Sequence, residues 1–193
     1  MKNPRPAIWM LIAIVAAACV SYYTLGMMIT HADQCLHNMG GDGGKNYYTY
    51  LQHALYGKGM WFTGMNYPYG EHIMFVDAQP ALSVTLGFLR KYITLTPGSA
   101  TAILNLLMAF AFAVAILVVY KILLRFKVAH FWAIIFACCI ICTCTQNTRM
   151  FGLYGLSYAC IIPLIFYWSV NYYDTGRIRY MVYLLLLSCI SMF

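Results

Sequence analysis

Hydrophobic positions in this 193-residue chain fall into long uncharged blocks separated by one extended polar interval. The first block covers 7–30, about 24 residues, enough for a tilted helix across roughly 30 Å of hydrocarbon. Further blocks cover 100–120, closed by Lys121, Arg125 and Lys127; 128–147, whose polar residues lie near its two ends; and 153–173, which runs into Asp174, Arg177 and Arg179. A final apolar stretch over 180–193, about 14 residues, falls short of the roughly 20 that a spanning helix needs, so the chain reads as cut off inside a fifth span. The predicted fold class is an all-α integral membrane protein with about four transmembrane helices and a truncated fifth. A cleaved signal peptide competes for the first block, because Ala16-Ala17-Ala18 supplies small residues behind a basic tail. That run is too long for the usual signal core and continues to Met27-Met28, which favours an uncleaved span.

The polar interval, 31–99, predicts two short interfacial helices on either side of a turn region. Tyr48, Leu51 and Leu55 recur at helical spacing over 45–56, with Gly57 and Gly59 as stop signals, which suggests an amphipathic helix lying on a membrane surface. Asn66, Pro68 and Gly70 make 64–71 rich in turns. Pro80 fits the first turn of a second helix over 81–92, too short to cross, whose Arg90 and Lys91 end would sit among lipid phosphates.

Composition supports the membrane assignment. Hydrophobic residues make up 63% of the chain and charged residues 9%, against about 25% charged in a soluble domain; the mean hydropathy is +0.71. The net charge of +7 is therefore read as topology. Alternating spans put Lys2, Arg5, Lys121, Arg125, Lys127, Arg177 and Arg179 on the side of the N-terminus. Lys45, Lys58, Arg90 and Lys91 fall in a long loop that translocates largely regardless of charge, leaving Arg149 as the exception. The N-terminus is thus expected to be cytoplasmic and the 31–99 loop outward. Basic residues are not clustered with interleaved aromatics, so nucleic acid is excluded as a partner.

Candidate chemistry concentrates between residues 40 and 80, which hold Asp42, Glu71 and Asp77, three of the five acidic residues. Gly41-Asp42-Gly43-Gly44-Lys45-Asn46 sets a carboxylate between glycines, where backbone can approach a ligand closely. It is not a nucleotide-binding loop, because Met39 stands where that motif needs glycine and Asn46 where it needs Ser or Thr. A flexible turn with Asp42 as a capping carboxylate is the alternative. Glu71-His72 and Asp77 could share acid/base work or hold a divalent cation through oxygen ligands; otherwise Glu71 is simply solvated and Asp77 starts the following helix. His31, Asp33, Cys35 and His37 would make a zinc site only on a strand, for which nothing argues, and His53 and His130 are expected to be solvated. Cys138, Cys139, Cys142 and Cys144 are taken as small helix-packing residues, since Cys139-x-x-Cys142 lacks the strand–helix setting of a redox motif. Arg149, between two spans, could pair with a phosphate or with a loop carboxylate such as Asp42, or snorkel to headgroups.

A first span, an outward loop opening with an Asp, a surface helix, a second short helix and closely spaced later spans resemble the GT-C superfamily of membrane glycosyltransferases. Gly41-Asp42-Gly43-Gly44-Lys45-Asn46-Tyr47, Gly64-Met65-Asn66-Tyr67-Pro68-Tyr69-Gly70-Glu71-His72 and Asp77-Ala78-Gln79-Pro80 look like a group of large bacterial multi-pass proteins allied to it, of mostly unassigned activity. The resemblance implies that 1–193 is the N-terminal part of a GT-C-like transmembrane domain in a bacterial inner membrane, transferring a sugar from a polyprenyl-phosphate donor on the outer face. It makes Asp42 the catalytic base or metal ligand. From charge and sidedness, Lys45 and Arg149 could stabilise the leaving phosphate, with Glu71, His72 and Asp77 as further substrate-binding candidates. The sequence departs from the family in Gln146-Asn147-Thr148-Arg149, where some members carry a carboxylate. The alternatives are a non-catalytic multi-pass protein that binds or moves a lipid-linked saccharide, and an inactive fragment.

Overall fold

The computed structural model describes residues 6–37, 42–149, 154 and 158–191. Lys2, Arg5, Gly40, Gly41 and most of the segment 150–157 lie outside the described residues. The elements in order are α1 (Pro6–Thr30), α2 (Asp42–Tyr56), β1 (Trp61–Phe62), β2 (Glu71–His72), a 3-10 turn (Ile73–Phe75), α3 (Pro80–Leu89), α4 (Pro97–Arg125), α5 (His130–Thr143), α6 (Thr145–Arg149), α7 (Ile161–Thr175) and α8 (Ile178–Ser191). The strands pair antiparallel, Trp61 opposite His72 and Phe62 opposite Glu71, so the expected all-α content is corrected by a small hairpin.

Helix α4 is the axis around which the rest packs. Its start is fixed by a reciprocal cap: Thr96 Oγ1 accepts from the Ser99 N–H, Ser99 Oγ accepts from the Thr96 N–H, and Pro97 occupies the first turn. Helix α1 lays Ala13, Ala17, Ser21, Leu25 and Met28 against it, a run of mostly small residues at helical spacing that lets the two backbones approach closely. The α1 backbone leaves helical geometry at Leu25 (φ −122°, ψ 23°), just before Gly26. Helix α5 packs on both α4 and α1, whereas α7 and α8 form a hairpin turned by Gly176 (φ 60°) and joined to α4 through α7. At that junction Arg125 pairs with Asp174 and donates to Asn171 Oδ1 at 2.9 Å.

The expected set of four spans and a partial fifth is not what the chain forms. Among the described residues two helices, α1 with 25 residues and α4 with 29, are long and apolar enough to cross a membrane by length and composition. The block at 128–147 breaks at Cys144, where the backbone turns extended (φ −68°, ψ 144°). Asn147 folds back there, its Nδ2 donating to the carbonyls of Ile141 and Cys142 that end the helix. The 14 residues of α5 then reach about 21 Å, well under the hydrocarbon thickness. The block at 153–173 gives α7, which starts at Ile161: Pro163 lacks the N–H that a longer helix would need, and its ring would clash with the preceding turn. At 15 residues α7 is also too short, as is α8 at 14. The count of basic residues on alternating sides therefore loses its basis, and with it the multi-pass inner-membrane placement with a cytoplasmic N-terminus.

The two helices expected at an interface each pack one face into the fold. Helix α2 buries Asn46, Tyr47, Thr49, Tyr50, His53 and Ala54 against α3 and α4, while Tyr48, on the face chosen from the apolar spacing, is exposed. Its buried polar side chains are bonded within the fold. Thr49 Oγ1 donates to the Lys45 and Asn46 carbonyls, Tyr50 donates to the Ala100 carbonyl at 2.8 Å, and His53 is held on both ring nitrogens. Helix α3 buries Pro80, Ser83 and Leu86.

Candidate functional site

Asp42 opens helix α2, where a carboxylate is favoured by the unpaired N–H groups of the first turn. Lys45 follows one turn later, and its Nζ lies 3.5 Å from Asp42 Oδ1 and 3.1 Å from Asp77 Oδ2. The hydrogen bond to Asp77 is the main reason that the Lys45 ammonium titrates above its ordinary range, with the charges of Asp77 and Asp42 adding to it. Both carboxylates are exposed and Lys45 is half-buried, so these pairs are worth at most about 1 kcal/mol each. With two carboxylates around one ammonium, the group is net negative.

Asp77 is held over Lys45 by unusual backbone. Asp77 (φ 51°) and Gln79 (φ 50°) are both left-handed, with fully buried Ala78 between them. Non-glycine residues reach that region at a cost of about 1–3 kcal/mol and do so where the surroundings force them. The result aims the two side chains at different targets. Asp77 meets Lys45, and Gln79, 8% exposed, accepts at Oε1 from the Tyr158 hydroxyl at 3.2 Å. Gln79 and Tyr158 stand at an apolar cavity of about 420 Å³ whose walls include Leu107, Phe110, Val114 and Leu164. Burial raises the Tyr158 phenol well above its ordinary pKa, so it stays a neutral donor.

The same region is braced from behind. Tyr154 donates to the Gly43 carbonyl at 3.2 Å and meets Tyr47 edge to face, ring centroids 4.9 Å apart. Tyr47 in turn donates to Asn105 Oδ1 at 2.6 Å and accepts from the His37 N–H at 3.3 Å. Asn105, fully buried in mid-α4, donates through Nδ2 to the carbonyls of Ala32 (2.9 Å) and Cys35 (2.7 Å). Burial pushes the Tyr47 phenol up to about 12. This network ties the α1 exit, α2 and α4 into one unit, so the start of α2 is fixed on three sides.

Of the sequence candidates, Asp42, Lys45 and Asp77 come together, while the other three stand apart. Glu71 and His72 form β2; His72 Nδ1 accepts from the Met74 N–H and caps the 3-10 turn, and its ring meets Phe75. Arg149 ends α6, exposed. Among the described residues no three His, Cys, Asp or Glu side chains cluster as metal ligands; His31 instead lies in a turn and bonds Thr30. Gln79, Tyr158, Tyr47 and Asn105 were missed. A lone Asn inside an apolar block was the one available signal for the last of them.

No family model, curated protein or solved structure matches this chain. Together with the two spanning-length helices among the described residues, in place of four and a partial fifth, this overturns the resemblance to GT-C membrane glycosyltransferases. Sugar transfer from a polyprenyl-phosphate donor and the alternative of a multi-pass carrier of lipid-linked saccharide both require an architecture that the fold does not have. The expected partners, membrane lipid and the polyprenyl-phosphate donor, fall with them, since they were inferred from that architecture.

Proposed function

We propose that this protein binds a small, mostly apolar molecule bearing one hydrogen-bond acceptor, in the cavity lined by Gln79 and Tyr158. The observation that carries this is a buried amide, on strained left-handed backbone, in the wall of an apolar cavity of about 420 Å³. Small-molecule sites have this form: roughly 300–1,000 Å³, apolar walls and a few fixed polar groups. Tyr158 occupies Gln79 Oε1, which leaves the Gln79 amide N–H groups to donate to a carbonyl or ether oxygen of the ligand.

The test uses 6-propionyl-2-(dimethylamino)naphthalene, a neutral aromatic ketone with a carbonyl acceptor and no donor, whose emission shifts to the blue and brightens on transfer to an apolar site. Saturable binding at one molecule per chain is expected, with loss on Ala111→Trp, which puts a large side chain into the cavity from its buried α4 wall. Binding by a folded Ala111→Trp protein equal to that of the wild type would refute the assignment.

A further inference from the structure

A second cavity, of about 500 Å³, opens where the C-terminal ends of α2 and α3 meet, and its chemistry is the opposite of the first. Lys58, Arg90 and Lys91 line it, together with His53. None of the five carboxylates of the chain, all of them described, lines it or pairs with these three cations. Arg90 donates from Nη2 to the Gly57 carbonyl at 2.7 Å, whereas its Nη1 is buried with no hydrogen-bond partner. A buried charged donor without a partner is expensive. Lys91 reaches back over the Phe88 ring, 5.5 Å from its centroid, and Lys58 is exposed.

Cations at helix C-termini are explained in part by the helix dipoles. Each C-terminus carries about half a negative charge, so two of them offset about one of the three positive charges. About two remain uncompensated around one concave site. A monocarboxylate would neutralise half of that; a phosphate dianion matches it, and its oxygens suit the planar guanidinium fork of Arg90.

We propose that this cavity binds phosphate, free or as a monoester, with Arg90 as the central ligand and Lys58 and Lys91 closing on it. His53 is the built-in reporter. Its Nε2–H donates to the Gly59 carbonyl and its Nδ1 accepts from the Ser83 hydroxyl, which fixes a neutral ring in the cavity wall.

The experiment is a titration of the full chain with inorganic phosphate, with acetate and chloride at matched ionic strength as controls, following the His53 ring resonances. Saturable shifts with phosphate alone, and a raised His53 pKa in the complex, are expected. Arg90 also supports Gly57, so the deciding variant is Lys58→Gln with Lys91→Gln, two exposed positions. It should weaken phosphate by about tenfold or more with the unfolding midpoint unchanged. Equal responses to phosphate and acetate, or a double variant that binds phosphate like the wild type, overturns the proposal. Vesicles of phosphatidic acid present the same group at a lipid surface. Binding to them that free phosphate fails to displace overturns it as well.

Discussion

Replacing Asn105 by alanine should be among the most damaging single changes in this protein, and the size of the effect can be worked from its bonds. Asn105 is fully buried and makes three hydrogen bonds, to the Tyr47 hydroxyl and to the Ala32 and Cys35 carbonyls. Cys35 is half-buried, so water can take over at its carbonyl. The Ala32 carbonyl and the Tyr47 proton are left without partners in the interior, each at about 1–3 kcal/mol. Asn105→Ala is therefore expected to destabilise by about 2–6 kcal/mol, a large fraction of a typical domain's stability. Tyr47→Phe leaves Asn105 Oδ1 without its donor in the interior and should lose about 1–3 kcal/mol. Chemical unfolding of wild type, both single variants and the double variant closes a cycle. Because the two changes break one shared bond, the double variant should fall short of the sum by about 1 kcal/mol or more. Additivity within about 0.5 kcal/mol, or a loss below about 1 kcal/mol for Asn105→Ala, would refute the network as the element that fixes the start of α2.

Two further predictions concern the α2–α3 junction and the buried imidazoles. A Cβ on Gly57 would lie 2.6 Å from the His53 carbonyl oxygen, which is helix backbone and yields little; Gly57→Ala should lower stability by about 1–3 kcal/mol in thermal unfolding, and a neutral result would show that the turn relaxes easily. Burial depresses the pKa of both His53 and His37, and for His53 the nearby Arg90 charge acts in the same direction. The unfolded chain therefore takes up these protons first as pH falls below about 6.5, so stability is fully present above that value and declines towards the lower folded pKa values. Denaturant midpoints should drop between about pH 7.5 and pH 5.5, and the slope should lessen in His53→Gln; a midpoint that rises on acidification would contradict the burial of these rings.

Hydropathy found the two long helices and the short last one, and overextended the blocks at 128–147 and 153–173. The block at 100–120 underlies α4, whose true start lies in the Thr96–Ser99 cap and whose end runs on to Arg125. At 128–147 and 153–173 apolar residues continue past the point where Asn147 back-bonding and Pro163 stop the helix, and window averages register neither. In α2 the helix was visible but its inner face was not. Tyr48, Leu51 and Leu55 suggested one side, whereas the fold buries Tyr47, Tyr50 and Ala54 along with Asn46, Thr49 and His53. Polar residues can face inward when they have partners, and those of Tyr47, Tyr50 and the His53 Nδ1 lie tens of residues away. The candidate site follows the same division. Asp42, Lys45 and Asp77 stood out as charges in the polar interval, but the separation of 32 positions between Lys45 and Asp77 hides their pairing. No local pattern announces left-handed backbone at Asp77 and Gln79.

The bonds from Tyr154 to Gly43 and from Tyr158 to Gln79 join residues 111 and 79 positions apart, and this sets an order in time. During synthesis α2, the hairpin and α3 emerge long before the segment that closes over them. At roughly 5–20 residues per second, about 3–14 s separate Leu89 from Tyr158. Through that interval Gln79 lacks its phenol partner and the apolar cavity lacks its α7 and α8 walls. The apolar site is thus finished well after the basic cavity at Arg90, whose walls come from residues 53–91 alone.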